Sequence, residues 1–215
     1  MYIVNRSVRF VRGFLLSYGP TKFKRRLWDK EYAENKWHFA DHTLGDCVYP
    51  HLERHAAKGS ILDIGCGSGN TGTELADSAY TSYLGVDISE EALVKARTRS
   101  KDCGRQDKNS FACGDFLTYV PSGQFDVILF RESLYHVPMG KVKSTLDRYA
   151  AYLKEGGVMI VRMFTADRTT SESKHRPLAM IASIEADFEV VNKTVDNDKG
   201  RSTVIVFRPK TRSKK

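Results

Sequence analysis

A short apolar segment, SILDI at residues 60–64, runs directly into a turn with three glycines in five positions, Gly65, Gly67 and Gly69. The segment TGTELADSA, which follows the turn, is typical of a helix. Glycines at a strand-to-helix turn allow backbone conformations closed to other residues and let a ligand approach the main chain closely. The sequence therefore predicts a βα unit whose turn binds a ligand.

Strand-like and helix-like segments alternate along the chain from this unit onwards. The predicted strands are Ser60–Ile64, Tyr83–Val86, Ser110–Cys113, Phe125–Phe130, Gly157–Phe164, Phe188–Val195 and Ser202–Phe207. The predicted helices are 3–18, 22–39, 43–57, Thr71–Ala79, Glu90–Ser100, Lys141–Leu153 and Arg176–Asp187. Such alternation is typical of a parallel sheet covered on both faces, and the turn at 196–200 predicts a closing hairpin. The fold class is therefore α/β: a doubly wound, mostly parallel seven-stranded Rossmann-like sheet with an antiparallel C-terminal hairpin and N-terminal helices.

The residues of the glycine turn disfavour a phosphate ligand. A P-loop requires G-x-x-x-x-G-K-[ST], and this turn has neither the lysine nor the spacing. The dinucleotide pattern G-x-G-x-x-G fits Gly65 and Gly67 only, because Asn70 stands at its third glycine position. Asp63 would repel a pyrophosphate but attract an ammonium or sulfonium group.

Two further acids end the next two predicted strands. Asp87, in LGVDIS, stands where an acid accepts hydrogen bonds from ribose hydroxyls. Asp115, in ACGDF, is placed to accept from the exocyclic amine of adenine. Together with Asp63, they favour a ligand with a ribose, an amino-purine and a cationic tail.

The pattern D-x-G-x-G-x-G, followed by acids after strands 2 and 3, resembles the class I S-adenosylmethionine-dependent methyltransferases from about Ser60 to Phe164. The resemblance implies S-adenosyl-L-methionine as cofactor, S-adenosyl-L-homocysteine as product, and no metal. It implies glycines against the methionine part, Asp87 on the ribose, and Asp115 with Phe116 at the adenine. The cofactor-site residues are Asp63, Gly65, Cys66, Gly67, Gly69, Asp87, Ile88, Asp115, Phe116 and Arg131. A turn that binds nothing and a relative that binds cofactor without methylating are the alternatives.

The segment after strand 4, FRESLYHVP, bears on the methyl acceptor. It lacks the Asn/Asp-Pro-Pro-Tyr/Phe stretch of class members that methylate nucleic-acid amines, and the cysteine needed for cytosine C5 methylation. Arg131 and Glu132 stand where catechol-type members carry a magnesium-binding acid. We therefore expect a small-molecule or glycan acceptor, methylated at oxygen rather than nitrogen. The alternative is an RNA or protein acceptor held by the basic termini.

Three catalytic candidates lie in the same segment. His136 is either a general base, since its ordinary pKa is near neutrality, or a packing residue beside the cofactor. Arg131 and Glu132 either bind polar groups of substrate or cofactor or pair with each other. Tyr135 is either a polar contact or a core aromatic.

Substrate contacts are expected from two other regions. The aromatic residues of the second predicted helix either cover the site as a lid or pack in the core, and the polar connection after strand 5 either meets the substrate or faces water. The candidates are Trp28, Tyr32, Trp37, Tyr135, Arg168 and His175. The pairs His38/His42 and His51/His55 have a spacing that suits zinc but lack further ligands, so no metal site is expected.

The net charge of +8 comes from the ends of the chain. Residues 1–30 carry eight basic and one acidic side chain, and residues 201–215 carry six and none, which leaves a net charge of −5 in residues 31–200. A basic surface around the cleft, the usual mark of a nucleic-acid enzyme, is therefore not expected. The basic ends are either solvated or in transient contact with an anionic membrane or RNA.

The sequence predicts three regions: N-terminal helices at 1–57 (lid, substrate contact or oligomer contact), a methyltransferase domain at 58–209, and a basic tail at 210–215. The spacing of residues 3–18 predicts a basic amphipathic helix, which would pack on this domain or on a second subunit, as in a homodimer, or lie on a membrane. No apolar run reaches the roughly 20 residues that span a bilayer, and no signal peptide is recognised. Four cysteines without C-x-x-C spacing favour a reducing, cytoplasmic location.

Overall fold

A computed structural model describes residues 12–13, 15–16, 18–38, 43–165, 171–197 and 201–210, without the side chains of 171–175. Its strands are β1 (Ser60–Ile64), β2 (Ser82–Asp87), β3 (Asn109–Cys113), β4 (Phe125–Arg131), β5 (Leu153–Phe164), β6 (Glu189–Asp196) and β7 (Ser202–Arg208). They form a seven-stranded sheet in the order β3-β2-β1-β4-β5-β7-β6. The first five strands pair in parallel, and β7 pairs antiparallel with β5 and β6. The predicted fold class is confirmed.

Helices cover both faces of this sheet. They are α1 (Thr21–Ala33), α2 (Tyr49–Ala56), α3 (Asn70–Glu74), α4 (Glu90–Asp102), α5 (Val142–Ala150) and α6 (Ser171–Asp187), with 3-10 turns at Asp77–Ala79, Leu134–His136 and Met139–Lys141. Residues 12–13, 15–16 and 18 are also helical. Among the described helices, none is long and apolar enough to cross a bilayer.

The apolar core lies on both sides of the central strands. One side packs against α5 and α6 and contains Leu62, Ile128, Phe130, Leu146, Met180 and Ile184. The other side packs against α2 and contains Leu52, Ile61, Val127, Leu129, Ile160 and Val206. Because successive residues of a strand point to opposite faces, a strand covered on both sides must be continuously apolar. The run VILF in β4 meets that requirement, as its sequence predicted.

Two N-terminal helices are shorter than predicted. The expected helix at 22–39 ends at Ala33 because the chain turns there, with Asn35 at φ +52°. Trp37 therefore lies in a turn. The expected helix at 43–57 begins only at Tyr49, after a turn in which Gly45 has φ +75°.

Other element ends also differ from the prediction. The helix expected at Thr71–Ala79 ends at Glu74, because Leu75 is extended. The helix expected at Lys141–Leu153 covers only Val142–Ala150, and β5 begins at Leu153 rather than Gly157. The last helix was predicted to begin at Arg176, but in the structure α6 already begins at Ser171. Most of the predicted helix at 3–18 and part of the turn at 196–200 lie outside the described residues.

Candidate cofactor and acceptor site

The three glycines of the turn after β1 all have positive φ: +77° at Gly65, +54° at Gly67 and +78° at Gly69. A Cβ on Gly65 would lie 2.5 Å from the Ser133 Cβ, and one on Gly69 would lie 2.7 Å from the Ala96 Cβ. A Cβ on Gly67 would meet the Tyr32 hydroxyl at 2.7 Å. The turn therefore requires glycine for its conformation and for the space around it.

Asp87, at the end of β2, closes this turn. Its Oδ2 accepts a hydrogen bond from the Gly67 N–H at 2.9 Å, and its Oδ1 accepts from the Ser89 N–H at 2.9 Å. Burial raises its pKa above the ordinary value, opposed by these backbone N–H groups. The structure thus brings the predicted ribose acid against the glycine turn.

Asp63 is almost completely buried, with 1% of its surface exposed. Its Oδ2 accepts a hydrogen bond from the Tyr83 hydroxyl at 2.7 Å. Burial raises the pKa of this carboxyl to about 6. A buried carboxylate destabilises the fold unless a donor or a cation offsets its lost hydration. Its position two residues before the glycines suits a cationic ligand group.

Asp115, after β3, is held by helix α1. Its Oδ2 accepts a hydrogen bond from the Thr21 hydroxyl at 3.0 Å and forms a buried ion pair with the Lys24 ammonium. Its Oδ1 accepts from the Leu117 N–H at 3.1 Å. The predicted adenine acid therefore already has three protein donors, two of which come from the N-terminal helix.

Helix α1 lies across the carboxyl ends of four strands. Lys24 contacts Asp115 after β3, and the Arg25 Nε donates to the Ile88 carbonyl after β2 at 3.2 Å. Tyr32 faces Gly67 after β1, and Trp28 packs edge-on against His136 after β4, with ring centroids 5.2 Å apart. The predicted lid residues therefore lie over the glycine turn and over the segment at the end of β4, residues 130–138, which we call the acceptor segment.

The aromatic residues of this region form one cluster. The Trp28 ring lies 5.2 Å from Trp37 and 6.4 Å from Tyr32, measured between centroids. The buried Glu31 carboxylate accepts hydrogen bonds from the Trp37 indole N–H at 3.0 Å and from the Arg12 guanidinium. This carboxylate fixes the cluster next to His136.

The His136 ring packs between Trp28 and Tyr135, whose centroid is 4.7 Å away. Burial, together with the nearby cations Arg12 and Arg176, lowers its pKa to about 4. The imidazole is therefore neutral at physiological pH. Its ring nitrogens make no hydrogen bond to the residues that the structure describes, so a lone pair is available to accept a proton.

Arg131 and Glu132 do not pair with each other, so the interpretation of these two residues as an ion pair is wrong. The Arg131 guanidinium binds Asp46 at 2.9 Å, and the Glu132 carboxylate binds Arg162. Arg162 also lies 3.4 Å from the second oxygen of Asp46. Glu132 has φ +53°, a conformation that costs a non-glycine residue about 1–3 kcal/mol. This buried ion cluster shapes the end of β4, beside the acceptor segment.

The remaining candidates are placed as follows. Cys66 lies in the turn, where burial raises its pKa, and Phe116 packs against the core cluster on the α5 side. Tyr135 packs there too, and burial strongly raises its pKa. Arg168, His42 and the side chain of His175 lie outside the described residues, although His175 belongs to α6. Within the described part of the chain, no three metal-ligating side chains cluster.

Sequence reasoning missed Thr21, Lys24, Asp46 and Arg162. Lys24 falls on the same helix face as Trp28 and Tyr32, so its spacing was a usable signal. Asp46 and Arg162 carry no such signal, because they meet Arg131 and Glu132 only through the packing of distant segments.

Residues 36–193 match the protein family described as a methyltransferase domain. Because this match covers most of the chain, the chain belongs to that family. The resemblance read from the glycine turn and its acids is confirmed.

Curated relatives match about half of the chain. A ubiquinone biosynthesis O-methyltransferase from Aromatoleum aromaticum is 33% identical over 118 residues, which cover 54% of this chain and 49% of that protein. A 27-O-demethylrifamycin SV methyltransferase from Amycolatopsis mediterranei is 28% identical over 120 residues, which cover 53% and 44%. The matched segments span less than half the length of these two relatives.

Solved structures resemble the whole fold. The N-methyltransferase NodS from Bradyrhizobium japonicum WM9, in complex with S-adenosyl-L-homocysteine, has a TM-score of 0.67 at 20% identity, covering 87% of this chain and 98% of that one. The complex of DhpI with SAH has a TM-score of 0.67 at 19% identity, covering 91% and 100%. At these identities the likeness establishes the fold.

We expect Gly67→Ala to weaken binding of S-adenosyl-L-homocysteine at least about tenfold, because it adds a Cβ against the Tyr32 hydroxyl as well as straining φ. Gly104→Ala is the matched control, since Gly104 has φ +67° but nothing within 4 Å of the added Cβ. Isothermal titration calorimetry measures the affinity of both variants for S-adenosyl-L-homocysteine. Thermal unfolding measures the loss of stability that an alanine at positive φ causes in both. Equal affinities for the two variants would contradict a binding role for this turn.

Proposed function

We propose that this protein is an S-adenosylmethionine-dependent methyltransferase that transfers a methyl group to an oxygen of a small molecule or glycan. The observation that carries the proposal is the glycine turn closed by Asp87 in a chain of the methyltransferase-domain family. We also propose residues 1–57 as the lid region, 58–209 as the methyltransferase domain and 210–215 as a basic tail.

The residues of the turn fit the proposed cofactor. The glycines of the turn all have positive φ and carry no side chains of their own, and the Gly67 N–H donates to Asp87, which ties the turn to the proposed ribose acid. A buried carboxylate at Asp63 suits the cationic methionine end, while Asp87 suits the ribose and Asp115 the adenine. When bound, the cofactor supplies an electrophilic methyl group on a sulfonium. The protein's own task is then to align the acceptor, exclude water and remove a proton.

Trp28, Tyr135 and His136 form the wall on the acceptor side. Trp28 and Tyr135 flank the His136 ring and shield it from water, so an acceptor hydroxyl there would meet a neutral imidazole. A neutral imidazole can hydrogen-bond that hydroxyl and take its proton as the new bond to carbon forms. Several curated relatives are named as O-methyltransferases and others as sterol 24-C-methyltransferases. Oxygen is proposed as the acceptor atom because a neutral imidazole can take the proton of a hydroxyl.

The test is methyl transfer from labelled S-adenosyl-L-methionine to a panel of phenols, hydroxy acids, sugars and amines, with total RNA and a basic protein as competing classes. We expect label on the hydroxyl of a small molecule. Label confined to RNA or protein would contradict the proposed acceptor class. Binding of the cofactor without transfer to any acceptor would favour a non-catalytic cofactor-binding protein.

We expect His136→Ala to lower kcat about 10²-fold or more with little change in cofactor affinity, because it removes the base and leaves the glycine turn intact. His51→Ala, on α2, is the control. A base with a pKa of about 4 stays neutral across physiological pH, so wild-type kcat should show no acid limb near pH 6.5. A loss of only a few-fold in His136→Ala would leave His136 as a packing residue.

We also propose that the outer face of α1 contacts an anionic membrane surface. Lys22, Phe23, Arg26 and Lys30 are exposed on this helix, and Phe23 is 44% exposed. Tyr18, just before it, is 60% exposed. Lys and Arg near an anionic leaflet each contribute about 1 kcal/mol, and exposed aromatic rings suit the headgroup region.

In a sedimentation assay, we expect the protein to bind phosphatidylcholine vesicles that contain phosphatidylserine, and the double variant Lys22→Glu/Arg26→Glu to bind at least about tenfold more weakly. The variant Lys58→Glu/Lys101→Glu makes the same charge change on exposed residues elsewhere. Equal binding of the two double variants to these vesicles would contradict the proposed membrane surface. Equal binding of the wild type to vesicles without phosphatidylserine would also contradict it. Binding to RNA but not to vesicles would do the same.

A further inference from the structure

The ion pair between Lys24 and Asp115 joins the N-terminal helix to the proposed adenine end of the cofactor site. Only 9% of the Lys24 side chain and 6% of the Asp115 side chain are exposed. The Thr21 hydroxyl donates to the same carboxylate oxygen, and the Leu117 N–H occupies the other. The carboxylate is therefore engaged from two sides and covered by α1.

Other contacts hold α1 over the same end of the site. The Ser89 hydroxyl donates to Asp29 at 2.8 Å, and the Arg25 Nε donates to the Ile88 carbonyl at 3.2 Å. From the far side, the Lys95 ammonium donates to the Tyr32 carbonyl at 2.7 Å. These three contacts link α1 to the end of β2 and to α4. They are part-buried hydrogen bonds, whereas both partners of the Lys24 ion pair are buried.

A carboxylate offers about four acceptor sites in its plane, and three donors, two of them from α1, already occupy sites on Asp115. One site is left, but only 6% of the Asp115 side chain is exposed, so an adenine amine cannot reach it while α1 is in place. A ligand can therefore reach Asp115 only when Lys24 and Thr21 withdraw.

We propose that Lys24 is an internal competitor of the cofactor, which occupies the adenine-binding carboxylate until the cofactor displaces it and α1 moves. Lys24 thus determines cofactor affinity without belonging to the bound site. The inference rests on the proposed function, because it takes Asp115 as the adenine acid.

The sign of the effect follows from the populations of the two arrangements. If the protein binds cofactor only when Lys24 has left Asp115, the apparent Kd equals the intrinsic Kd divided by the fraction of molecules in that arrangement. Removing the ammonium raises that fraction and tightens binding. If Lys24 instead stayed on Asp115 beside the adenine, removing it would weaken binding or leave it unchanged.

The test is calorimetric titration of the full chain with S-adenosyl-L-homocysteine. We expect Lys24→Met to bind at least about fivefold more tightly than the wild type, since the competing arrangement loses its ion pair. Lys22→Met is the matched control, because Lys22 is exposed on the same helix and makes no ion pair with a described residue. Lys24→Arg retains the charge and should stay near the wild type.

A second variant covers the case in which Lys24→Met does not fold. Thr21→Val removes only the hydroxyl that donates to Asp115, so it should tighten binding by a smaller factor in the same direction. Weaker or unchanged binding in Lys24→Met, or in Thr21→Val where the first variant does not fold, overturns the inference. A wild type that binds no S-adenosyl-L-homocysteine would instead refute the proposed function.

Discussion

The backbone of the glycine turn is the point at which four parts of the molecule meet. The Gly65 and Cys66 N–H groups donate to the Val86 carbonyl at 2.8 and 3.1 Å, and the Gly67 N–H donates to Asp87, so the turn is tied to the end of β2. Gly69 fits against Ala96 of α4 only because it has no Cβ. Gly67 leaves room in the same way for Tyr32 of α1. Any side chain at these glycines would push apart the elements that surround the site.

Buried charge is the second feature of this region. Asp63, Asp87 and Asp115 end three neighbouring parallel strands and are therefore brought to one edge of the sheet, where burial raises the pKa of the first two. Carboxylates removed from water lower stability unless donors or cations meet them. Protein donors meet part of this need through Tyr83, backbone N–H groups and Lys24. We attribute the remaining destabilisation by these carboxylates to the requirements of a site for a cationic nucleoside.

Local patterns predicted the strands around the turn better than the helices at the N-terminus. The bounds of β1 were predicted residue for residue, because an apolar run followed by glycines marks both of its ends. The start of α4 at Glu90 was also predicted correctly, and the structure shows the Ser89 hydroxyl before it accepting from the Ala92 N–H at 3.2 Å. The second helix was predicted too long, although Asn35 in the turn after Ala33 is of a residue type that favours the left-handed conformation that it adopts there. The role of His136 stays a prediction.

The sequence by itself determined the class of fold and the family, because strand periodicity, glycine spacing and acids at strand ends are local properties of the chain. Tertiary structure alone decided the partners of the charged residues. Arg131 pairs with Asp46, 85 positions away, and Asp115 pairs with Lys24. Such pairs depend on how separate segments pack, and a charged side chain carries no local mark of its partner. The arrangement of α1 over the cofactor acids, from which the competition by Lys24 is inferred, was decided in the same way.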